Sequence, residues 1–150
     1  MQQYFTFGYH QCRWGYTNWT ELQDVVDNFR NYNIPLENIW TDIDYMNQYR
    51  DFDNDQNRFS YVNGRTFLDN LHANGQHYIP IVDSAIYIPN PNNASDAYGT
   101  YDRGNASNAF LMNPDGSQYI GSVWPGYTGK PLPRQALIAI SPSIFTDVYP

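Results

Sequence analysis

The chain has 150 residues, with 8 Lys and Arg against 15 Asp and Glu, so its formal net charge is −7. A chain this acidic lacks the basic surface that binding to nucleic acid or to an anionic membrane requires. Aromatic residues make up 17% of the chain and charged residues only 15%, which argues against wholesale disorder. Abundant Tyr, Trp and Asn with little charge instead favour an extracellular protein that handles neutral polar ligands such as sugars.

Targeting signals and cysteine content give further expectations. No apolar run approaches the roughly 20 residues that span a bilayer, and residues 1–5 (MQQYF) show no signal peptide. N-glycosylation sequons begin at Asn18, Asn93 and Asn105, which favours secretion or a cell-surface location for the parent protein. Cys12 is the single cysteine, so an internal disulfide is excluded and a small buried thiol is expected.

The first half of the chain alternates predicted strands and helices. Residues 4–9 (YFTFGY) are aromatic and uncharged, which predicts a first strand. Thr20 and Gln23 have the spacing of a capping box at a helix start. An apolar stripe follows at i, i+3, i+4 and i+7, formed by Leu22, Val25, Val26 and Phe29. A second strand is predicted at residues 38–44 (NIWTDID).

The alternation continues through a second helix and a third strand. The helix contains Phe67, Leu68 and Leu71, with Gly75 placed to end it, and the strand is predicted at residues 77–83 (HYIPIVD). Strands joined in this β-α-β-α-β order lie parallel, with right-handed crossovers. No glycine-rich phosphate turn follows the first strand, which argues against a dinucleotide-binding sheet. The predicted fold class is therefore α/β, as part of a (β/α)8 barrel.

Acidic residues end two of the predicted strands. Asp42 and Asp44 end the second strand and Asp83 ends the third, at the face where α/β barrels hold their active sites. On one strand face, Asp42 and Asp44 would lie roughly 6.5–7 Å apart along the backbone. Glycosidases hold two carboxyls about 5–5.5 Å apart when they retain configuration and about 6.5–9.5 Å apart when they invert it. The pair could therefore be an acid and a base.

A second interpretation gives this pair separate roles. One Asp binds a ligand hydroxyl, while the other caps the following turn or pairs with Arg13 or Arg50. Glycoside cleavage needs carboxyls on opposite sides of the bond, whereas two neighbours on one strand approach from the same side. The geometry therefore favours this second interpretation.

Aromatic and basic residues follow the first predicted strand. A Trp at a barrel mouth, such as Trp14, can stack on the apolar face of a sugar ring, and Arg13 could fork onto a strand-end carboxylate. Packing of Trp14 beneath loops is equally compatible with the sequence, and Trp124 has the same two interpretations. Residues 87–127 shift to Pro, Asn, Gly, Ser and Tyr, which predicts a long loop or a small subdomain with a functional role.

Signals for metal binding and for other hydrolytic chemistry fail on inspection. Asp51, Asp53 and Asp55 begin like a calcium loop, but Gln56 takes the place of the required Gly and Val62 that of the closing Glu. The three histidines lack a metal-ligand spacing, and no serine has the context of a nucleophile elbow. We therefore expect neither a metal nor a cofactor.

Several segments, in chain order, carry motifs of a known family. They are residues 7–16 (FGYHQCRWGY), 34–46 (IPLENIWTDIDYM), 49–52 (YRDF), 71–76 (LHANGQ), 81–86 (IVDSAI) and 121–128 (GSVWPGYT). Together they resemble the first three strand–helix units of family 31 glycoside hydrolases, in particular the secreted fungal α-glucosidases and glucoamylases. Ser84 stands where that family commonly has Pro. The resemblance covers about residues 4–128.

The resemblance implies an activity and a sugar site. The family hydrolyses terminal α-linked glucose with retention, so α-linked glucose oligosaccharides, maltose or starch ends are the implied substrates. Its nucleophile and acid/base motifs are absent from this chain, so no catalytic residue is assigned. The positions that match its sugar-binding subsite are Trp14 (often Tyr in relatives), Asp42, Ile43, Ile81 and Trp124. By this likeness Asp42 would bind sugar hydroxyls and the other four would shape the wall, with Arg13, Asp44 and Asp83 in support.

The same resemblance predicts a boundary in the chain. Residues 1–128 are expected to be the N-terminal part of a family 31 barrel, and residues 129–150 a divergent tail that is not native to the fold. Met1 falls where relatives have interior chain. We therefore expect a fragment that does not hydrolyse substrate by itself. The alternative is a non-catalytic carbohydrate-binding protein that retains part of the sugar subsite.

Overall fold

The computed structural model of the chain describes residues 1–122 and 135–138. Its elements in chain order are β1 (His10–Gln11), α1 (Trp19–Asn31), β2 (Asn38–Thr41), α2 (Tyr61–Ala73), β3 (His77–Pro80), β4 (Ala85–Tyr87), α3 (Gly99–Ala106), β5 (Ile120–Ser122) and β6 (Gln135–Ile138). Short 3₁₀-helices lie between several of them. Among the described residues, no helix is both long and apolar enough to cross a bilayer.

Residues Met1–Tyr49 and Asp53–Val82 form a first compact unit, which contains a parallel sheet. Its strand order is β1-β2-β3, with Asn38 in register with both His10 and His77. Helices α1 and α2 connect these strands, and their apolar side chains share one core with Ile39 of β2. The predicted β-α-β-α-β order with parallel strands is confirmed.

Helix α1 begins two residues earlier than its predicted capping box. Asn18 is the N-cap, and its side-chain oxygen accepts a hydrogen bond from the Glu21 amide at 2.9 Å. The Glu21 carboxylate in turn accepts the Thr17 amide at 2.6 Å, so one orphan amide of the first turn has a side-chain acceptor and the residue before the N-cap is held as well. The Thr20–Gln23 box is therefore wrong. The apolar stripe is confirmed, with Leu22 and Val26 buried.

The predicted first strand at residues 4–9 is also wrong. Tyr4–Phe7 is a 3₁₀-helix, in which the Thr6 hydroxyl donates to the Gln3 carbonyl at 2.6 Å and the Gly8 amide donates to the Phe5 carbonyl. These local hydrogen bonds compete with strand pairing. Only His10 and Gln11 pair with β2.

Strands β2 and β3 each end three residues before the predicted position. Strand β2 ends at Thr41 because the Asp42 carboxylate accepts the Ile43 amide at 2.7 Å and caps a 3₁₀-helix at Ile43–Tyr45. Strand β3 ends at Pro80. Helix α2 ends as predicted, since Gly75 follows it with φ of 71°, a conformation that favours glycine.

Residues Arg50–Phe52 and Asp83–Pro150 form a second compact unit. It holds helix α3 and an antiparallel sheet with the order β4-β6-β5. A small apolar core contains Ile86, Tyr98 and Phe110. The segment after β4, predicted as a long loop or a small subdomain, thus contains a helix and a strand. Strand β6 belongs to the predicted tail, and the boundary after residue 128 stays a prediction.

Candidate functional site

The candidate site lies in the first unit, where the three parallel strands end. Trp14 follows β1, Asp42 follows β2 and Ile81 follows β3. Because the carboxyl ends of parallel strands meet at one edge of the sheet, the strand order β1-β2-β3 brings these segments together. Trp14, Asp42 and Ile81 therefore all follow strands that end at the same edge of the sheet.

Asp42 is half-buried at this edge. One of its carboxylate oxygens accepts a hydrogen bond from the Ile43 amide. Its negative charge also interacts electrostatically with the Cys12 thiol. Partial desolvation of the sulfur, and secondarily the charge of Asp42, raise the pKa of the Cys12 thiol above its ordinary value, although the residue as a whole lies at the surface. Cys12 is exposed, so the expectation of a buried thiol is wrong. The reason is that the chain leaves β1 at Gln11 and carries Cys12 onto the strand-end surface.

Asp44 is buried and binds the turn that follows β1. Its Oδ2 atom accepts the Gly15 amide at 2.7 Å, and its main-chain oxygen accepts from the Arg58 guanidinium at 3.0 Å. The two carboxylates therefore do not share one strand face, because β2 has ended before either of them and each accepts a different main-chain amide. The interpretation of Asp42 and Asp44 as a strand-mounted acid and base is wrong.

Trp14 is exposed, with 69% of its surface accessible. Of its two interpretations, packing beneath loops does not fit this exposure. The expectation that Arg13 forks onto a strand-end carboxylate is also wrong. Its guanidinium instead donates to the carbonyls of Trp14 and Gly15, each at 3.3 Å, and lies 3.9 Å from the Glu21 carboxylate. Arg13 therefore folds back onto its own turn.

The two isoleucines differ in their surroundings. Ile43 is 7% exposed and belongs to the apolar core of the first unit, while Ile81 is half-buried beside that core. The Ile81 amide donates to the Thr41 carbonyl at 3.0 Å, and the Ile81 carbonyl accepts the hydroxyl of buried Tyr45 at 2.8 Å. Sequence reasoning missed Tyr45, because its partner lies 36 residues away.

Asp83 belongs to the second unit, where its amide donates to the Asp51 carboxylate at 2.9 Å. Burial, with a smaller contribution from the charge of Asp83, raises the pKa of Asp51 to about 7. Sequence reasoning missed this group, since Asp51 was considered as the start of a calcium loop and as part of the motif at residues 49–52, and neither pattern indicates burial. Trp124 lies outside the described residues, and its role stays a prediction. Within the described part of the chain, no group of three His, Cys, Asp or Glu side chains converges to hold a metal.

Comparison with known proteins adds sequence relationships to this geometry. The family described as glycosyl hydrolases family 31, TIM-barrel domain, matches residues 1–149. An α-glucosidase of Aspergillus niger is 69% identical over 131 residues, and glucoamylase 1 of Candida albicans is 60% identical over 132 residues. Each alignment covers 87% of this chain but only 13% and 14% of those relatives. The chain thus spans about one seventh of their length.

Solved structures give the same relationship at lower identity. The endoplasmic reticulum glucosidase II complex of catalytic subunit and regulatory-subunit binding domain superposes with a TM-score of 0.72 at 28% identity, over 93% of this chain and 14% of that chain. A family 31 α-glucosidase from Bacteroides thetaiotaomicron superposes with a TM-score of 0.60 at 28% identity, over 93% of this chain and 21% of that chain. The described fold matches the N-terminal region of such a barrel.

Proposed function

Since the chain belongs to glycosyl hydrolases family 31, we propose that it forms part of a retaining α-glucosidase that hydrolyses terminal α-linked glucose. Oligosaccharides such as maltose, or the ends of starch, are the proposed substrates. One observation supports this most strongly. A half-buried carboxylate and an exposed indole stand at neighbouring strand ends in a chain 69% identical to an α-glucosidase.

Within the first unit, we assign the sugar-binding roles by chemistry. The carboxylate of Asp42 accepts hydrogen bonds from sugar hydroxyls, which are charge-assisted and therefore strong. The exposed indole of Trp14 stacks on the apolar face of the ring. Ile81, held from both sides by Thr41 and Tyr45, and Ile43 shape the apolar wall.

The 150-residue chain alone does not hydrolyse a glycoside under this proposal. Cleavage with retention needs a nucleophile and a proton donor on opposite sides of the bond, whereas Asp42 and Asp44 both follow the end of β2 and approach from one side. We expect no release of p-nitrophenol from p-nitrophenyl α-glucoside by the purified chain. The control is the double variant Asp42→Asn/Asp44→Asn. Turnover by the chain that this control abolishes would overturn the assignment.

Sugar binding is tested in a chimera, in which this chain replaces the matching segment of the Aspergillus niger α-glucosidase. Asp42→Asn should weaken binding of glucose or of a glucose-like inhibitor by about 1–3 kcal/mol, as expected for a lost charge-assisted hydrogen bond. Asp44→Asn should lower the free energy of unfolding more than it lowers affinity, since Asp44 binds the Gly15 amide. Equal losses of affinity in both variants, with stability unchanged, would contradict this division.

The second candidate function is a non-catalytic carbohydrate-binding protein. The half-buried carboxylate of Asp42 and the exposed indole of Trp14 favour it, because both suit sugar binding and neither supplies the pair of opposed carboxyls that cleavage needs. A thermal melt and a maltose titration of the 150-residue chain separate the two functions. A folded chain with millimolar maltose affinity supports the binding protein, and a folded chain without measurable maltose affinity supports the enzyme segment.

A further inference from the structure

We propose that Asp44 is a positioning residue, whose carboxylate holds the Trp14–Gly15 turn so that the Trp14 indole is presented for stacking on a sugar. The role of the indole rests on the proposed function. The holding of the turn by Asp44 does not, because it follows from the contacts of the first unit alone.

The first contact joins two segments that are distant in sequence. The Asp44 Oδ2 atom accepts the Gly15 amide at 2.7 Å, across a separation of 29 residues. Gly15 has φ of 99°, a left-handed conformation that residues with a Cβ rarely adopt. The hydrogen bond therefore fixes the turn at its conformationally most demanding residue.

Asp44 is itself rigidly held, which is what a positioning group requires. It is 9% exposed, and it lies within the 3₁₀-helix Ile43–Tyr45 that the Asp42 carboxylate caps. Its main-chain oxygen accepts from the Arg58 guanidinium. Arg58 is anchored in turn by an ion pair with Asp55 at 2.7 Å. The position of the Asp44 carboxylate is therefore fixed by contacts other than its hydrogen bond to the turn.

Two carbonyls of the turn bind a different side chain. Arg13 donates to the Trp14 and Gly15 carbonyls, and its guanidinium carbon lies 5.2 Å from the centre of the Tyr16 ring. The side chain of Arg13 is 55% exposed and its bonds are long, whereas Asp44 is buried and its bond is short and charge-assisted. We therefore expect Asp44, rather than Arg13, to dominate the position of the indole.

The test follows Trp14 directly in the 150-residue chain. The four tryptophans are replaced by 5-fluorotryptophan, and the ¹⁹F resonance of Trp14 is assigned from its loss in Trp14→Phe. Asp44→Ala should shift or broaden the Trp14 resonance beyond its linewidth and leave the resonance of Trp40 in place. Arg13→Ala should have a smaller effect. Asp44→Asn, whose amide oxygen can still accept the Gly15 amide, should restore the position in part.

A matched control separates positioning from general loss of stability. Ser60 caps helix α2 by accepting the Asn63 amide, so Ser60→Ala destabilises the first unit without touching the turn. The proposal is overturned if Asp44→Ala leaves the Trp14 resonance unchanged, or if Ser60→Ala moves it equally. Should Asp44→Ala fail to fold, Asp44→Leu decides, since its side chain has similar size and no acceptor, and an unshifted Trp14 resonance in that variant also overturns the proposal.

Failure of the proposed function gives a different result. In the Aspergillus niger chimera, Trp14→Ala should weaken sugar binding at least tenfold if the indole stacks on the ring. Unchanged affinity in Trp14→Ala would refute the stacking role while leaving the ¹⁹F result intact. A Trp14 resonance that does not respond to Asp44→Ala, together with lost affinity in Trp14→Ala, would refute the positioning role alone.

Discussion

Asp51 places a carboxyl group in a buried environment of the second unit. It is 3% exposed, accepts the Asp83 amide, and its main-chain oxygen accepts the Tyr98 hydroxyl. Burial is the main reason that its pKa rises to about 7, and the negative charge of Asp83 adds to it. In the unfolded chain the same group titrates near its ordinary value of 3.8.

This difference predicts how stability depends on pH. Because the folded pKa is raised, the folded chain holds a proton on Asp51 that the unfolded chain releases between about pH 4 and pH 7. The stabilising contribution is therefore complete below pH 4 and is lost as pH rises through about 7. We expect the free energy of unfolding to fall by on the order of 4 kcal/mol across this range, measured by urea unfolding from pH 4 to pH 8.

The control for Asp51 is Asp51→Asn, which removes the titrating group and can still accept the Asp83 amide. Its stability should change less between pH 4 and pH 8 than that of the unsubstituted chain. Parallel pH profiles for both chains would show that Asp51 does not carry the dependence.

Cys12 provides a second prediction, based on its electrostatic contact with Asp42. Its raised pKa lowers the fraction of reactive thiolate, so alkylation by iodoacetamide at pH 8 should be slow. Asp42→Asn removes the smaller cause of the shift and should accelerate alkylation by less than about tenfold, because burial remains. Asp24→Asn, which removes the same charge from the exposed face of helix α1, should leave the rate unchanged. An equal alkylation rate in the unsubstituted chain and in both variants would show that the charge of Asp42 does not act on Cys12.

Individual side chains illustrate what the sequence could and could not predict. Asp42 and Trp14 were identified because acidic and aromatic residues that follow strands stand out in a linear pattern. The bond from the Gly15 amide to Asp44 was not predicted, since it joins residues 29 positions apart and depends on where β2 stops. The raised pKa of Asp51 depends on burial by residues far along the chain, which no local pattern records.

At the scale of elements, helix α2 contains a glycine with a packing role. Gly64 is buried, and a Cβ added there would lie 2.7 Å from Cζ2 of Trp19. Trp19 is held by its indole nitrogen, which donates to the Ser60 carbonyl at 2.9 Å. The ring therefore has little freedom to move aside.

We expect Gly64→Ala to destabilise the chain although alanine is the better helix former. Overpacking costs about 1–3 kcal/mol, and the gain in helix propensity offsets at most about 1 kcal/mol. The matched control is Asn70→Ala, on the exposed face of the same helix, which should be neutral or slightly stabilising. The free energies of unfolding of both variants decide this, and a stabilised Gly64→Ala would show that α2 and Trp19 are not in close contact.

Helices were predicted more accurately than strands, and the reason is physical. The apolar stripe of α1 repeats over several turns, so Leu22 and Val26 identify the buried face even though the cap was misplaced. Strand ends depend on single competing hydrogen bonds. The Asp42 carboxylate ends β2 by capping the next turn, and the Thr6 hydroxyl helps to fold a predicted strand into a 3₁₀-helix.

At the scale of the whole molecule, we propose that the parent protein is secreted and N-glycosylated, and that the three sequons differ in occupancy. Asn93 is exposed, and its Oδ1 atom accepts both hydrogen bonds from Ser95, so a glycan on Nδ2 leaves them intact. The Nδ2 atom of Asn18 donates to the Thr17 hydroxyl at 3.2 Å, which a glycan would disturb. Asn105 is exposed, with Oδ1 bound to Gln118.

We therefore expect higher glycan occupancy at Asn93 and Asn105 than at Asn18. The measurement is peptide mass spectrometry of the chain secreted from yeast behind a secretion signal. Thr20→Ala is the matched variant for the first sequon, because it removes the acceptor motif and keeps the Asn18 cap of helix α1. Highest occupancy at Asn18, or unmodified asparagines at all three sequons, would contradict the expectation.

Residues Arg50–Phe52 belong to the second unit although the flanking segments belong to the first. Arg50 there forms an ion pair with Asp96, and its guanidinium carbon lies 4.4 Å from the centre of the Tyr87 ring. A single cut after Val82 would leave Arg50 and Asp51 on one piece and Asp96, Tyr87 and Asp83 on the other. The two units are thus interleaved along the gene, and no single splice or recombination point can divide the chain so that both units stay whole.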